Sequence, residues 1–173
     1  MIAANIAPGM NRSFTAENWG HIIAKRNWYD ALDEARELMD LSIETDIQGY
    51  DIDDKMVSIA RENAKLAGVD HMIHFQRRGV DQLSSPRKYG FLITNPPYGE
   101  RISTPDLLGT YKMIGERLKH EFTGNDAWIL SYREECFDQI GLKPSLKIPV
   151  YNGSLECEFR KYQMFDGKMS VFR

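Results

Sequence analysis

Phe91-Leu92-Ile93-Thr94-Asn95-Pro96-Pro97-Tyr98-Gly99-Glu100-Arg101 is the stretch on which the reading of this chain turns. Four apolar or β-branched residues predict a short apolar strand, and the asparagine and two prolines end it. Proline carries no backbone donor and fixes its own φ, so Pro96 and Pro97 stiffen the loop that follows. The C-terminal end of a strand is the edge at which α/β sheets bind ligands. Asn95 offers a side-chain carbonyl there, and Pro96 a backbone carbonyl. Together they can accept both hydrogens of one planar NH2 group, while the ring of Tyr98 can stack on the base that carries it. These residues suit the presentation of an exocyclic amine's lone pair to a methyl donor. The plainer reading of the same residues is a rigid proline turn after a strand.

Upstream, Ile47-Gln48-Gly49-Tyr50-Asp51-Ile52 predicts another short strand, this one ending in acid. A carboxylate at that position can accept hydrogen bonds from the two ribose hydroxyls of a nucleoside cofactor, as in dinucleotide folds. That makes Asp51 a cofactor candidate, with Ile52 placed to pack on an adenine. Asp53 is the expected N-cap of a helix that carries Met56, Val57, Ala60, Ala64 and Ala67 and stops at Gly68. Met72 to Gln76 predicts the next strand. In the Arg77-Arg78-Gly79-Val80-Asp81 run that follows, Asp81 is a candidate for an adenine amino group. A surface loop accounts for it equally well.

The rest of the chain continues the alternation. Met1 to Ala7 is expected as the last turns of a helix stopped by Pro8-Gly9. Thr15 is expected to cap a short helix through Ile23, and Trp28, Leu32, Ala35, Leu38 and Met39 recur at helical spacing. Ser103-Thr104-Pro105 opens a helix bearing Leu107, Leu108, Tyr111, Ile114 and Leu118, proline being favoured at a first helical position. Ala127 to Tyr132 reads as a strand and Arg133 to Ile140 as a helix. Lys147 to Tyr151 and Glu156 to Phe165 read as a hairpin around Asn152-Gly153. Strands alternating with helices imply a doubly wound, mostly parallel sheet, and the closing hairpin adds an antiparallel edge. Trp19, Trp28 and Trp128 are expected in the core, and Arg160-Lys161 on a solvated strand face.

With 173 residues, 42% hydrophobic and 27% charged, the composition is that of one globular domain. A formal net charge of -3 gives no global basic signature, so any nucleic-acid surface must be local or belong to another domain. Two cysteines outside any CxxC pair and four scattered histidines offer no zinc spacing, and no metal is expected. No apolar run reaches the length of a membrane span and no signal peptide opens the chain, so a cytoplasmic protein without a membrane partner is expected.

Taken together, the motifs resemble the class I methyltransferase fold. More narrowly, they resemble the bacterial ribosomal RNA guanine-N2 methyltransferases, a family also labelled N6-adenine-specific DNA methylases. The resemblance rests on Asn5-Ile6-Ala7-Pro8-Gly9-Met10-Asn11-Arg12 with Trp19, and on Gly49 to Asp53 with Ala60, Asn63 and Gly68. It also rests on Asn95 to Arg101 and on Tyr151-Asn152-Gly153-Ser154-Leu155-Glu156-Cys157. It implies S-adenosylmethionine as cofactor, held by Asp51, Ile52, Asp81 and Asn95. Asn95, Pro96, Pro97 and Tyr98 would carry catalysis by direct transfer to a base unstacked from its neighbours. The implied substrate is guanine N2 of large-subunit ribosomal RNA. The alternatives are adenine N6 of DNA or RNA, and an inactive remnant that binds RNA. Family members carry a strand and a loop of the type Asp-Pro-Phe-Cys-Gly-Ser-Gly-Thr before the position of Met1, and an upstream RNA-binding THUMP domain. Neither is in this sequence, so residues 1–173 are expected to be part of a catalytic domain and inactive alone. Arg78 stands where the family places an acid in the adenine site.

Overall fold

The computed structural model describes residues 1–98 and 106–166. The chain divides into two compact units, residues 1–77 and 78–173.

The first unit opens on a 3-10 turn at Ile2–Ala4 rather than on helix. Asn5 adopts a left-handed φ of 50° and stops any continuation, and its amide donates to Leu38 O at 3.0 Å. A second 3-10 turn covers Thr15–Asn18, and its N-cap is Phe14, not Thr15. The Glu17 carboxylate accepts from the Phe14 N–H at 2.7 Å and so secures the turn one residue earlier than the hydroxyl of Thr15 would. Helix α1 spans Lys25–Glu37, strand β1 Ile47–Asp51, helix α2 Asp54–Leu66 and strand β2 Ile73–Arg77. Asp53 caps α2 as expected, accepting from Lys55 N at 2.8 Å, and Gly68 follows the helix at φ 70°. The strands of this β1-α2-β2 unit pair in parallel, from Ile47 opposite Ile73 to Asp51 opposite Arg77. Gly49 is required between them, because a Cβ there would lie 2.6 Å from the Phe75 ring. The core is small: Ala4, Ala64, Val69 and Met72, with Ile6, Ala67, Ile73 and Phe75 against it.

The second unit contains β3 (Phe91–Thr94), α3 (Leu107–Glu121), β4 (Asp126–Ser131) and α4 (Glu134–Ile140). It closes with β5 (Leu146–Asn152) and β6 (Leu155–Gln163), in the sheet order β3-β4-β6-β5. β3 and β4 are parallel, whereas β6 runs antiparallel to both β4 and β5. On β4 the residues alternate, with Ala127, Ile129 and Ser131 buried. That face packs with Tyr111, Ile114 and Leu118 of α3 and with Cys136, Phe137 and Ile140 of α4. Gly115 permits the helices' approach: a Cβ there would sit 2.0 Å from the Ile140 carbonyl oxygen. The buried side chain of Asn125 ties the loops together, accepting from Gly90 N at 2.8 Å and donating to Arg87 O at 2.9 Å.

The α/β alternation and antiparallel closing hairpin are as expected. Among the described residues the strands form two sheets, with β1 paired only to β2, and β3 only to β4. Three other expectations are corrected. α3 is capped by Asp106, whose carboxylate accepts from Gly109 N at 2.8 Å, and Ser103, Thr104 and Pro105 lie outside the described residues. Trp19 is 46% exposed, because a 3-10 turn of four residues is too short to fold its indole onto a core. Arg160 and Lys161 do not form a solvated face: Arg160 is 3% exposed against Glu134 and Phe137 of α4, and Lys161, on the opposite face, is half-buried in a pair with Asp126.

Candidate active site

The topology brings three segments of the second unit to one end. β3 and β4 are parallel, so Thr94 and Ser131 end at the same edge. β6 runs the other way and begins there, and β5 finishes there. Ser131 is paired with Glu158, whereas the hairpin continues to the Asn152–Leu155 pair. Three residues of β6 therefore overhang the end of β4, a reach of roughly 10 Å at the usual strand rise. The turn holds Gly153 and Ser154 between the paired residues, with Gly153 at φ 66°. Asn152 is thus the last strand residue rather than part of the turn.

At this edge Asn95 is exposed, Pro96 is buried, and Pro97 and Tyr98 are half-buried. The Tyr98 hydroxyl accepts a hydrogen bond from Asn152 Nδ2 at 2.6 Å. The Tyr98 ring meets that of Tyr132 edge to face, with centroids 5.4 Å apart and planes at 89°. Below them Tyr111 donates to Ser131 Oγ at 3.1 Å, and burial pushes the Tyr111 phenol up to about 12. It therefore stays a neutral donor that fixes the end of β4 just before Tyr132. Gly99, Glu100 and Arg101, which complete the motif, lie outside the described residues. Tyr132 and Asn152 belong to this site, and the sequence marks the first only as the end of a strand and the second only as part of a hairpin turn. The available signals are an aromatic directly after an alternating strand, and an asparagine whose strand position depends on hairpin register.

The remaining candidates fall as follows. Asp51 closes β1 and is exposed, and its Oδ1 accepts from Asp53 N at 2.8 Å. That bond turns the carboxylate around the strand end and leaves its second oxygen for other donors. Ile52, beside it, is 69% exposed, and its carbonyl accepts from Arg77 Nε at 2.9 Å. An outward acid with an adjacent uncovered aliphatic side chain fits a ribose and adenine. Both belong to the first unit, whereas Asp81 is exposed on a 3-10 turn (Val80–Gln82) of the second. Among the described residues no cluster of metal-ligating side chains forms, and no helix is long and apolar enough to cross a membrane.

Electrostatics inside the second unit centre on Arg160, which is only 3% exposed. Its guanidinium lies 3.8 Å over the Phe137 ring. It donates to Glu158 at 2.5 Å and reaches both carboxylate oxygens of Glu134, at 3.1 Å through Nη1. Arg160 holds the Glu134 carboxyl below the usual carboxylate range. The pair locks α4 to β6 and keeps the strand end that bears Tyr132 in place. Lys161, on the opposite face, pairs with Asp126 at 2.8 Å.

A strand–helix alternation carrying an Asn-Pro-Pro-Tyr loop at a strand end is the class I methyltransferase architecture, and solved structures agree. A possible methylase from Clostridium difficile 630 superposes with a TM-score of 0.87 at 36% identity, over 97% of this chain and 44% of that one. SMU.472, described as a methyltransferase and solved complexed with SAH, gives 0.88 at 32% identity, over 97% and 44%. The chain belongs to the family described as UPF0020: RMKL-like, methyltransferase domain, which matches residues 1–161. It is 37% identical over 169 residues to ribosomal RNA large subunit methyltransferase K/L of Shewanella sp. strain ANA-3, covering 95% of this chain and 24% of that protein. The chain thus spans about a quarter of the curated relative's length and under half of the solved chains.

Proposed function

We propose that this chain provides the base-presenting part of an S-adenosylmethionine-dependent methyltransferase acting on guanine N2 of large-subunit ribosomal RNA. The observation that carries the reading is Asn95-Pro96-Pro97-Tyr98 at the C-terminal end of β3, its asparagine exposed and its tyrosine held from two sides. The ribosomal RNA substrate in the curated relative's name and the SAH in a related structure support it. An upstream RNA-binding domain of the THUMP type belongs to the same proposal.

S-adenosylmethionine, when bound, supplies a methyl group made electrophilic by its sulfonium charge. Asp51 would hold the ribose hydroxyls, Ile52 would pack on the adenine, and Asp81 would take the adenine amine. Asn95 Oδ1 and the Pro96 carbonyl accept the two N–H groups of the target amine and turn its lone pair out of the base plane. Tyr98 stacks on the base and holds it unstacked from its own strand. Orientation is the main contribution asked of these residues.

Incubating the full-length protein with protein-free large-subunit ribosomal RNA and methyl-labelled S-adenosylmethionine tests the proposal. Digestion to nucleosides should give N2-methylguanosine. Asn95→Ala should lose most of it, by roughly 100-fold, the scale set by a misplaced reacting group. N6-methyladenosine as the product, or parental turnover by the variant, would overturn the reading.

A further inference from the structure

We infer that Asn152, at the overhanging tip of the β5–β6 hairpin, is a positioning residue that presets the Tyr98 ring for the incoming base. The inference rests on the proposed function and adds a residue that its motif does not contain.

The geometry is specific. Asn152 and Tyr98 are 54 residues apart in sequence, yet Nδ2 lies 2.6 Å from the phenol oxygen. Both side chains are half-buried, so water competes for this bond less than it would at a fully exposed site. The donor is anchored by strand pairing: Asn152 is opposite Leu155, and Gly153 turns the chain at φ 66° immediately after it. The acceptor lies in the segment that follows β3. An aromatic ring on a loop rotates about χ1 and χ2, and stacking geometry needs both fixed. The Tyr132 ring, perpendicular at 5.4 Å, restricts one of these motions, and the bond to Asn152 pins the far end of the ring against the other. With Asn152 as donor, the phenol's own hydrogen remains directed away from the hairpin. Tyr98 thus meets a base already ordered, and the entropic cost of fixing the ring falls at folding rather than at substrate binding.

A merely structural hairpin contact predicts something different. Losing it would lower the melting temperature and leave turnover of the folded protein intact. The two roles separate in a double-mutant cycle of Asn152→Ala and Tyr98→Phe, with Asn152→Asp as a conservative rescue. Aspartate cannot donate but can accept, so the Tyr98 hydroxyl can turn and donate to it.

The measurements are kcat and KM for methyl transfer to protein-free large-subunit ribosomal RNA, and S-adenosylmethionine affinity by calorimetry, all in the full-length protein below its melting temperature. We expect Asn152→Ala to lower kcat/KM for RNA by about tenfold or more, within the range that misorientation produces. Cofactor affinity should be unchanged, Asn152→Asp should recover most of the loss, and Asn152→Ala should have no further effect once Tyr98→Phe is present. Parental turnover by Asn152→Ala, or losses that multiply in the double variant, would overturn the inference while leaving the proposed function standing. An unsubstituted protein that methylates no RNA would overturn both.

Discussion

Among the described residues, the first unit closes a core of four buried side chains, Ala4, Ala64, Val69 and Met72, whereas the second closes one of eleven that includes Tyr111, Ile129, Phe137 and Tyr162. Both regions use strand, helix and strand, and both helical patterns are amphipathic. α1 nevertheless buries none of its residues, while α3 buries Tyr111, Ile114, Gly115 and Leu118. In the first unit, Ile47, Ile52, Met56, Ile59 and Leu66 remain substantially exposed. At roughly 25 cal/mol per Å² of apolar surface removed from water, the smaller cluster contributes less than the larger one, although the second unit also leaves Phe91, Ile93 and Tyr151 exposed. Under the proposed chemistry the second unit carries the groups that orient the base together with Asp81, and the first carries Asp51 and Ile52.

The comparison breaks most directly at the core. Ile129→Ala removes a side chain that is 0% exposed at the centre of the larger cluster, and should cost about 2–5 kcal/mol in denaturant unfolding. Native-state hydrogen exchange should show β4 and β6 protected to the global stability and β1 and β2 opening well below it. Equal protection in the two units would end the distinction. Gly115→Ala offers a sharper form. Alanine favours helix over glycine by up to about 1 kcal/mol, but the Ile140 carbonyl blocks its methyl, so the substitution should destabilise.

Asp51 and Asn95 test the division of labour. Asp51→Ala should weaken S-adenosylmethionine binding by about 1.5–3 kcal/mol, the range for hydrogen bonds to a charged group, and Asn95→Ala should leave that affinity intact. Calorimetry of the two variants would contradict the division if Asp51→Ala bound normally.

The smallest effect is the pH dependence of the second unit. Because Arg160 depresses the folded pKa of Glu134, the associated stability is present above the unfolded carboxylate value. It fades as pH falls through the folded one. Glu134 is largely exposed, so the contribution is a few tenths to about 1 kcal/mol. Glu134→Gln should flatten the acid limb of a melting-temperature profile. Tyr111 and Tyr162 act at the other limb: burial pushes both phenols up to about 12, so their contribution is present below the unfolded value of 10 and is lost as pH rises from there through the folded value of about 12.

Legibility in the sequence followed local information. β3 was readable because three apolar residues and a threonine run into Asn95 and two prolines, and α2 because an aspartate cap, a helical period and a terminal glycine agree. The turn at Ile2–Ala4 was not, because its deciding contact is Asn5 to Leu38, and at Thr15–Asn18 the hydroxyl of Thr15 drew the cap one residue late although Glu17 to Phe14 is local. Arg160 misled because alternation locates a strand's two faces without saying whether a helix covers one. Its partners sit on α4 and elsewhere on β6. At the site, Asn95 to Tyr98 formed a contiguous signal, whereas Tyr132 and Asn152 join it only through sheet register.

That register makes the hairpin a ruler. The overhang past Ser131 has a fixed number of residues, and side chains alternate between faces at every step. Adding or removing one residue between Leu146 and Asn152 would not simply lengthen or shorten the reach to Tyr98. It would present the tip's amide to the opposite side of the sheet. Tolerated length changes in this arm should therefore come in pairs of residues, and a designer grafting a different hairpin must match parity before matching sequence.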